Sequence, residues 1–420
     1  MVYCHLYAQE KKEKIKLEQA DELVYDQGFS KARRLRGNVI FSQGEMRMYC
    51  DSAYFYDEQN QIEAYENVRI TKPDGAQLTG KYLNYNGDTR KAIVRQNVYM
   101  SDNQMTLTTE ELHYDMATEA ANYTAGATIV DKQNTLTSRV GLYNGKTKML
   151  SFRDAVVLVN PRYKLLADTL LYNTLTHTAY FVGPTHINST GADSTFIFCK
   201  NGWYNTDNDK SYFSNDAYIQ SKRQKIVGDS LRYDKKKGLG EAYGNVMISD
   251  DDQKVLIGGN YASYSEVTQH SFVTGRSQLM QVMDNDTLFM HADTLYAIED
   301  TATGNKSYFA YHHVVFFKSN MQGRCDSLSY SNTDTLLRMF NDPVLWTDSN
   351  QITADTIYLQ LANERIDKLF MYDKSFIASQ EDAERFNQIK GADMIGLFSD
   401  NELKQITVTG SGQTIYYARD

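Results

Sequence analysis

The chain has 420 residues but only 4 Pro, 4 Cys and 2 Trp, and no run approaching 18 consecutive apolar residues. Without such a run nothing in it reads as a membrane-spanning helix. A net charge of −9 gives neither a basic footprint for nucleic acid nor a polybasic membrane anchor. No Cys-x-x-Cys spacing suggests zinc. There is no Gly-x-Ser-x-Gly elbow, phosphate-binding Gly-rich loop or His-Glu-x-x-His. What the chain has is 31 Tyr and 18 Phe, with Thr, Val and Ile in strand-like alternation.

The dominant feature is a repeat. The pattern apolar, any, small, Asp, Ser/Thr, Leu, any, Tyr recurs as "LLADTLLYN", "IVGDSLRYD", "GRCDSLSYS" and "ITADTIYLQ", with weaker copies between them. Anchored on the Asp position, thirteen units fall at Asp21, Asp51, Lys81, Glu110, Arg139, Asp168, Lys200, Asp229, Asn260, Asp293, Asp326, Asp355 and Asp393. Their spacing is 29 to 33 residues until a last step of 38, and ten of them carry an aromatic four positions on. The residue before the anchor is small in every unit, from Ala20 and Cys50 to Ala354 and Ala392.

This row assigns the cysteines. Cys50, Cys199 and Cys325 stand where other units have Ala, Gly or Ser, so they read as space fillers, not as ligands or disulfide partners. The anchor acids give way to Lys, Arg or Asn in four units, which no shared acid–base role would survive. They are expected to cap a corner by accepting backbone amides. His312 and His313, as strand neighbours, should point to opposite faces. The acidic segments "TDNDK" and "SDDDQK" read as hairpin turns, since neither has the ligand spacing of a calcium loop. No enzyme chemistry, metal or cofactor is therefore expected.

Apolar residues recur three positions before the anchor, at Met48, Leu78, Leu107, Leu136, Leu165, Ile197, Ile226 and Ile257. A second row lies two and four positions after it, as in Leu170, Tyr172, Leu231 and Tyr233. The two rows have opposite parity. Either both strand faces are covered, or the strand kinks at the small-Asp step. The small residue favours the kink, and hence a stack of bent strands. Its two rows form either an ordinary closed core or an open groove lined for acyl chains; periodicity is the same for both.

Residues 1–14 read as a signal-peptide remnant or disordered tail, and 15–420 as one continuous array. "SQEDAERFNQIKG" (379–391) carries helix cues, with Ser379 as N-cap, acids in the first turn and Gly391 after the end. The chain stops at "GQTIYYARD", inside another unit, so the native array is expected to continue or to have been cut there.

The units "CDSAYFYDEQNQIEAYENVRI", "ADTLLYNTLTHTAYFVGPTHI" and "GDSLRYDKKKGLGEAYGNVMI" resemble the OstA-like repeat of Gram-negative bacteria. That family includes the periplasmic bridge protein LptA and the periplasmic domain of LptD. The resemblance implies an all-β, elongated β-jelly-roll of stacked, bent antiparallel strands in the periplasm. It also implies an interior that passes the lipid A acyl chains of lipopolysaccharide toward the outer membrane. Partners would be other jelly-roll transport proteins joined by end-to-end strand pairing, or further copies of the chain. Thirteen units exceed the compact bridge protein, and there is no room for the membrane barrel of LptD. The other reading is a structural or adhesive repeat protein with a closed core. A hydrolase or polysaccharide-binding solenoid would need clustered acids or aromatics on an outer face, and the repeat shows none.

Overall fold

The computed structural model describes residues 13–25, 31–101, 105–131, 133–190, 195–222, 224–283, 286–347, 349–362, 365–399 and 402–417. Among them every regular element is a β-strand. The chain divides into two compact units, Met1–Asp207 and Asn208–Asp420. Each is an antiparallel meander whose long strands are bent at mid-length.

The bend is made by a two-for-one mismatch. Where strand Arg33–Gln43 meets strand Met46–Tyr56, Arg36 pairs with Ser52 and Val39 with Cys50. The single anchor Asp51 therefore faces two residues, Gly37 and Asn38, both left-handed with φ of 71° and 46°. The same left-handed pair recurs as Glu66–Asn67, Gln96–Asn97, Asp154–Ala155, Gly244–Asn245, Gly275–Arg276, His312–His313 and Asp373–Lys374. An extra residue in such a bulge turns the strand and shifts its side-chain parity. This is why the rows before and after the anchor share an interior despite their opposite parity. The kink is thus built in the neighbouring strand; the small residue packs inside it.

Cys50, Cys199, Cys325, Ala167, Ala292 and Ala354 are all buried at this inner corner. The space is tight. A Cβ on Gly259 would lie 2.5 Å from Val273 Cγ1 and 3.0 Å from the Thr274 carbonyl oxygen. The anchor side chains lie outside the corner and clasp the left-handed pair. Asn38 and Asn67 donate to Asp21 and Asp51 at 2.8 and 2.7 Å, and Lys374 donates to Asp355 at 3.0 Å. Where the anchor is Arg139 the charges exchange, and its partner is Asp154. The acids thus accept mainly from side chains of the next strand, where backbone capping was expected.

Two expectations fail at the C-terminal end. Residues 379–391 are not a helix but a hairpin, formed by Ser375–Gln380 and Phe386–Gly391. The acids that suggested a helical first turn shape the hairpin loop: Asp382 Oδ1 accepts the Glu384 and Arg385 amides at 3.0 and 2.9 Å. The last unit is also displaced by one residue. Ser375 pairs with Gly391, and the Ala392 amide donates to the Gly410 carbonyl at 2.8 Å, a bond that Asp21 makes to Gly37. Gly391 is therefore the buried small residue and Ala392, which is exposed, holds the anchor place.

The corner yields a test. Gly259→Val should cost about 1–3 kcal/mol of stability by overpacking. Gly258→Val, whose Cβ would approach nothing nearer than 3.8 Å, should stay within about 0.5 kcal/mol in urea denaturation.

Candidate functional site: the apolar interior

Each bent strand contributes half its length to either of two arms, which face each other across the interior. In the first unit one arm carries an in-register row, Phe41, Met48, Ile70, Leu78, Met100 and Leu107, each paired with the next. The row continues through Ile129, Leu136, Leu158, Leu165 and Ile187 to Ile197. Met48, Leu78, Leu107, Leu136 and Leu165 are buried, and Ile197 is half-buried. On the other arm Leu170 is buried and Tyr172 half-buried. The arms touch directly where the Phe41 and Phe55 rings meet edge-on, with centroids 5.4 Å apart.

A strap closes the seam at the start of this unit. Ile15 is buried, and its amide donates to Asn60 Oδ1 at 2.9 Å. Gln43, at a hairpin end of the first arm, donates to the Glu13 and Gly87 carbonyls at 2.6 and 2.9 Å. The Tyr85 hydroxyl, from the second arm, donates to Gln43 Oε1. Burial pushes this phenol up to about 12. Farther along, Lys72 reaches across to the Tyr114 hydroxyl at 3.0 Å.

The second unit is built alike but filled unevenly. Its first-arm row runs Ile226, Ile248, Ile257, Leu279, Met290 and Phe316. The first five are half-buried, whereas Phe316, Leu345, Ile352 and Ile377 are 0–2% exposed. The second arm changes at the same place. Opposite the half-buried stretch it presents Ala242, Ala262, Val273, Leu295 and Ala310, then Leu328, Met339, Ile357, Met371 and Met394. The rim row above these runs Tyr233, Gly240, Tyr264, Ser271, Ala297 and Tyr308, then Tyr330, Leu337, Leu359 and Leu369. From about Ala292 onward, large side chains from both arms join one dense cluster. Leu231 is buried and Tyr233 half-buried, its hydroxyl donating to Glu266 at 2.8 Å. Burial and that carboxylate push the Tyr233 phenol up to about 12.

Of the twelve residues picked from the sequence, seven are buried and five half-buried. The small residues that loosen the second unit, and the strap, escaped that reading. Alanine and glycine at strand positions signal space only once their face is known. The outer face was also misread. Tyr243, Tyr261, Phe272, Tyr296 and Phe309 form an unbroken ladder of ring contacts there, with centroids 4.8–6.5 Å apart. The rings cover one another, and the half-buried ladder acts as cross-strand packing.

Other candidate groups find structural roles. Burial pushes Cys50, Cys199 and Cys325 up to about 12, so these thiols stay protonated and unreactive. Cys4 lies outside the described residues. "SDDDQK" is a turn in which the Gln253 amide donates to Asp250 at 2.9 Å. His312 and His313 are not extended strand neighbours but a left-handed corner pair. Each reaches a different anchor, Asp326 at 3.2 Å and Asp293 at 2.8 Å. Among the described residues, no three His, Cys, Asp or Glu side chains converge as a metal site requires. Two shallow depressions, of about 460 and 580 Å³, lie on the outside of the first unit.

Residues 12–168 match the family described as OstA-like protein. Over that span the chain is similar to OstA-like proteins. No curated protein matches the chain. Among solved structures it is similar to LptH, the LptA-homologous periplasmic component of the lipopolysaccharide transport device of Pseudomonas aeruginosa. Identity is 15% and the TM-score 0.25, over 26% of this chain and 82% of LptH. It also aligns with the WD40 domain of SCAP from fission yeast at 7% identity and a TM-score of 0.12, over 98% of this chain and 92% of that one. Neither alignment is close enough to carry an argument about this chain.

Two outcomes check the geometry. Asn60→Ala removes the acceptor of the buried Ile15 amide. It should cost about 1–3 kcal/mol and speed hydrogen exchange at Ile15 above that at Leu78. Hydrogen bonding to Asp293 raises the His313 pKa, and a raised folded pKa favours the folded state at low pH. That contribution is complete below the ordinary imidazole value and fades as pH rises through the raised one. An NMR titration should show His313 titrating later than in Asp293→Asn.

Proposed function

We propose that this OstA-like chain is a non-enzymatic periplasmic carrier. It holds the acyl chains of lipopolysaccharide between its two arms and passes them toward the outer membrane. The observation that carries this reading is the unbroken, in-register apolar row along the inner face of each unit. Burying such a row against itself gives a core; parting the arms gives a continuous apolar surface, favourable for methylene groups at roughly 0.8 kcal/mol each. The lipopolysaccharide cargo itself is inferred from membership of residues 12–168 in the OstA-like family.

Strand edges supply the means of joining neighbours. Lys16–Gln19 and Glu22–Tyr25 pair with Arg33–Gln43 on one side, and Gln413–Ile415 pairs with Phe386–Gly391. Their other edges have no strand partner among the described residues. Such edges accept a further strand by backbone pairing. They suit another jelly-roll transport protein or a second copy of the chain.

A closed structural or adhesive repeat protein is the alternative. It is favoured by one observation, the close contact of Phe41 with Phe55 inside the first unit. A photo-crosslinking residue at Leu107, Leu165 or Ile226, in cells making lipopolysaccharide, separates the two. The carrier should give lipopolysaccharide adducts from these positions and none from outward Thr108. Adducts with protein alone, at every inward position, would reject it.

A further inference from the structure

The uneven filling of the second unit determines how cargo would reach its interior. This inference rests on the carrier reading and adds to it a site, a route and an end.

The space lies along the rim row. A Cβ on Gly240 would meet nothing nearer than Tyr233 Cδ2 at 3.9 Å and the Tyr264 carbonyl oxygen at 4.0 Å. Toward the C-terminal strands the same probe finds no room. A Cβ on Gly323 would lie 2.3 Å from Phe316 Cζ, and one on Gly396 2.8 Å from Leu403 Cδ1. Past Gly240 the rim rises at Tyr264 and is low again at Ser271 and Ala297. It then rises into Leu337, Leu359 and Leu369, which pack with Phe316 and Ile352 in the dense cluster. The facing wall is apolar, formed by half-buried Ile248, Ile257 and Leu279 of the other arm. Since both arms are continuous sheets, solvent reaches these side chains through the seam between the arms' hairpin ends.

The seam itself is amphipathic. Tyr264 and Tyr308 are 42% and 40% exposed although they stand on the inner parity of their strands. The Tyr233 and Tyr264 hydroxyls bond to Glu266 and Gln269 at the hairpin tip, at 2.8 and 3.0 Å. Rings turned inward with hydroxyls at a wet edge form the kind of belt that marks an apolar–water boundary. A chain of methylene groups fits between such rings, over glycine, serine and alanine. A polar head would remain outside, level with the hydroxyls.

We propose that the second unit takes up the acyl chain of an amphiphile sideways. The chain would lie in a slot over Gly240, Ser271 and Ala297, bounded by Tyr233 and Tyr308 and passing the half-exposed Tyr264 ring that stands between Gly240 and Ser271. The wall that begins at Phe316 and Leu337 ends the slot. Cargo in this unit enters and leaves through the seam and does not pass on between the C-terminal strands.

The test uses the full chain and a dodecanoic acid bearing a diazirine, with labelled peptides identified by mass spectrometry. The wild type should label in peptides spanning 230–275 and 290–310, and not in 345–377. Gly240→Phe fills the slot and should cut that labelling about tenfold, equivalent to about 1.4 kcal/mol, with an unchanged melting temperature. Ala297→Leu provides a milder filling should the first variant melt early. Ile352→Ala, which hollows the wall, should leave the labelling pattern as it is. Labelling that persists in both filled variants, or that gathers on 345–377 in the wild type, overturns the slot. Labelling confined to the first unit's inner rows would leave the carrier reading standing and remove the slot. Labelling of neither interior would remove both.

Discussion

Everything in the architecture depends on the mismatch of one residue against two at the middle of each strand. A left-handed residue other than glycine costs on the order of 1 kcal/mol. The chain adopts two in succession, rung after rung, as at Gln96–Asn97 and His312–His313. The compensation is local: the anchor side chain clasps one of the pair, and a small residue lets Val39, Val68, Val98 or Val246 bury behind it. Without the parity change the apolar row on one arm would face water. The clasp tolerates Asp with Asn, Asp with Lys, Asp with His, and Arg with Asp because all it needs is a complementary pair at that spacing.

The repeat, the apolar row before the anchor, the filler cysteines and the all-β class were legible because each rests on a residue type recurring at fixed spacing. The corner's mechanism was less so. Left-handed backbone is announced by Gly37–Asn38 but not by Asp154–Ala155, and the repeated unit averages over both. The hairpin at 375–391 misled because an acid after serine suits a helical first turn and an Asx-type loop equally. Only the pairing of Ile377 with Ile389, which extends the inner row, decides for strands. The one-residue slip from Ala392 to Gly391 came from following the Asp instead of the buried neighbour. On the candidate site, the positions of the inner rows were legible but not how fully they are packed. Whether Ala262 and Gly240 leave space is a property of what faces them.

The two units use one scheme with different fillings. The first is held shut at its start by the strap of Ile15 with Gln43, Asn60 and Tyr85, a polar latch in which every named group is satisfied. The second is shut among its last strands by Leu345, Ile352, Ile357 and Met371, each without measurable exposure. Large-to-small changes in such a cluster cost about 2–5 kcal/mol, so it is a rigid end. The first-arm row from Ile226 to Leu279 is only half-buried. A tightly packed core and a more loosely filled stretch are therefore different segments of one row.

The small residues of that stretch have a further meaning for how the molecule comes apart. In a meander each strand contacts chiefly its two neighbours, so cooperativity passes along the row as it does between units of a repeat protein. A weakly filled segment is then the place where that propagation is interrupted. Local opening should start around Ala242–Ala297 and spread outward, leaving the cluster beyond Ala310 as a separate, later-melting foldon. The same few alanines and glycines would thus divide the second unit in time as well as in space.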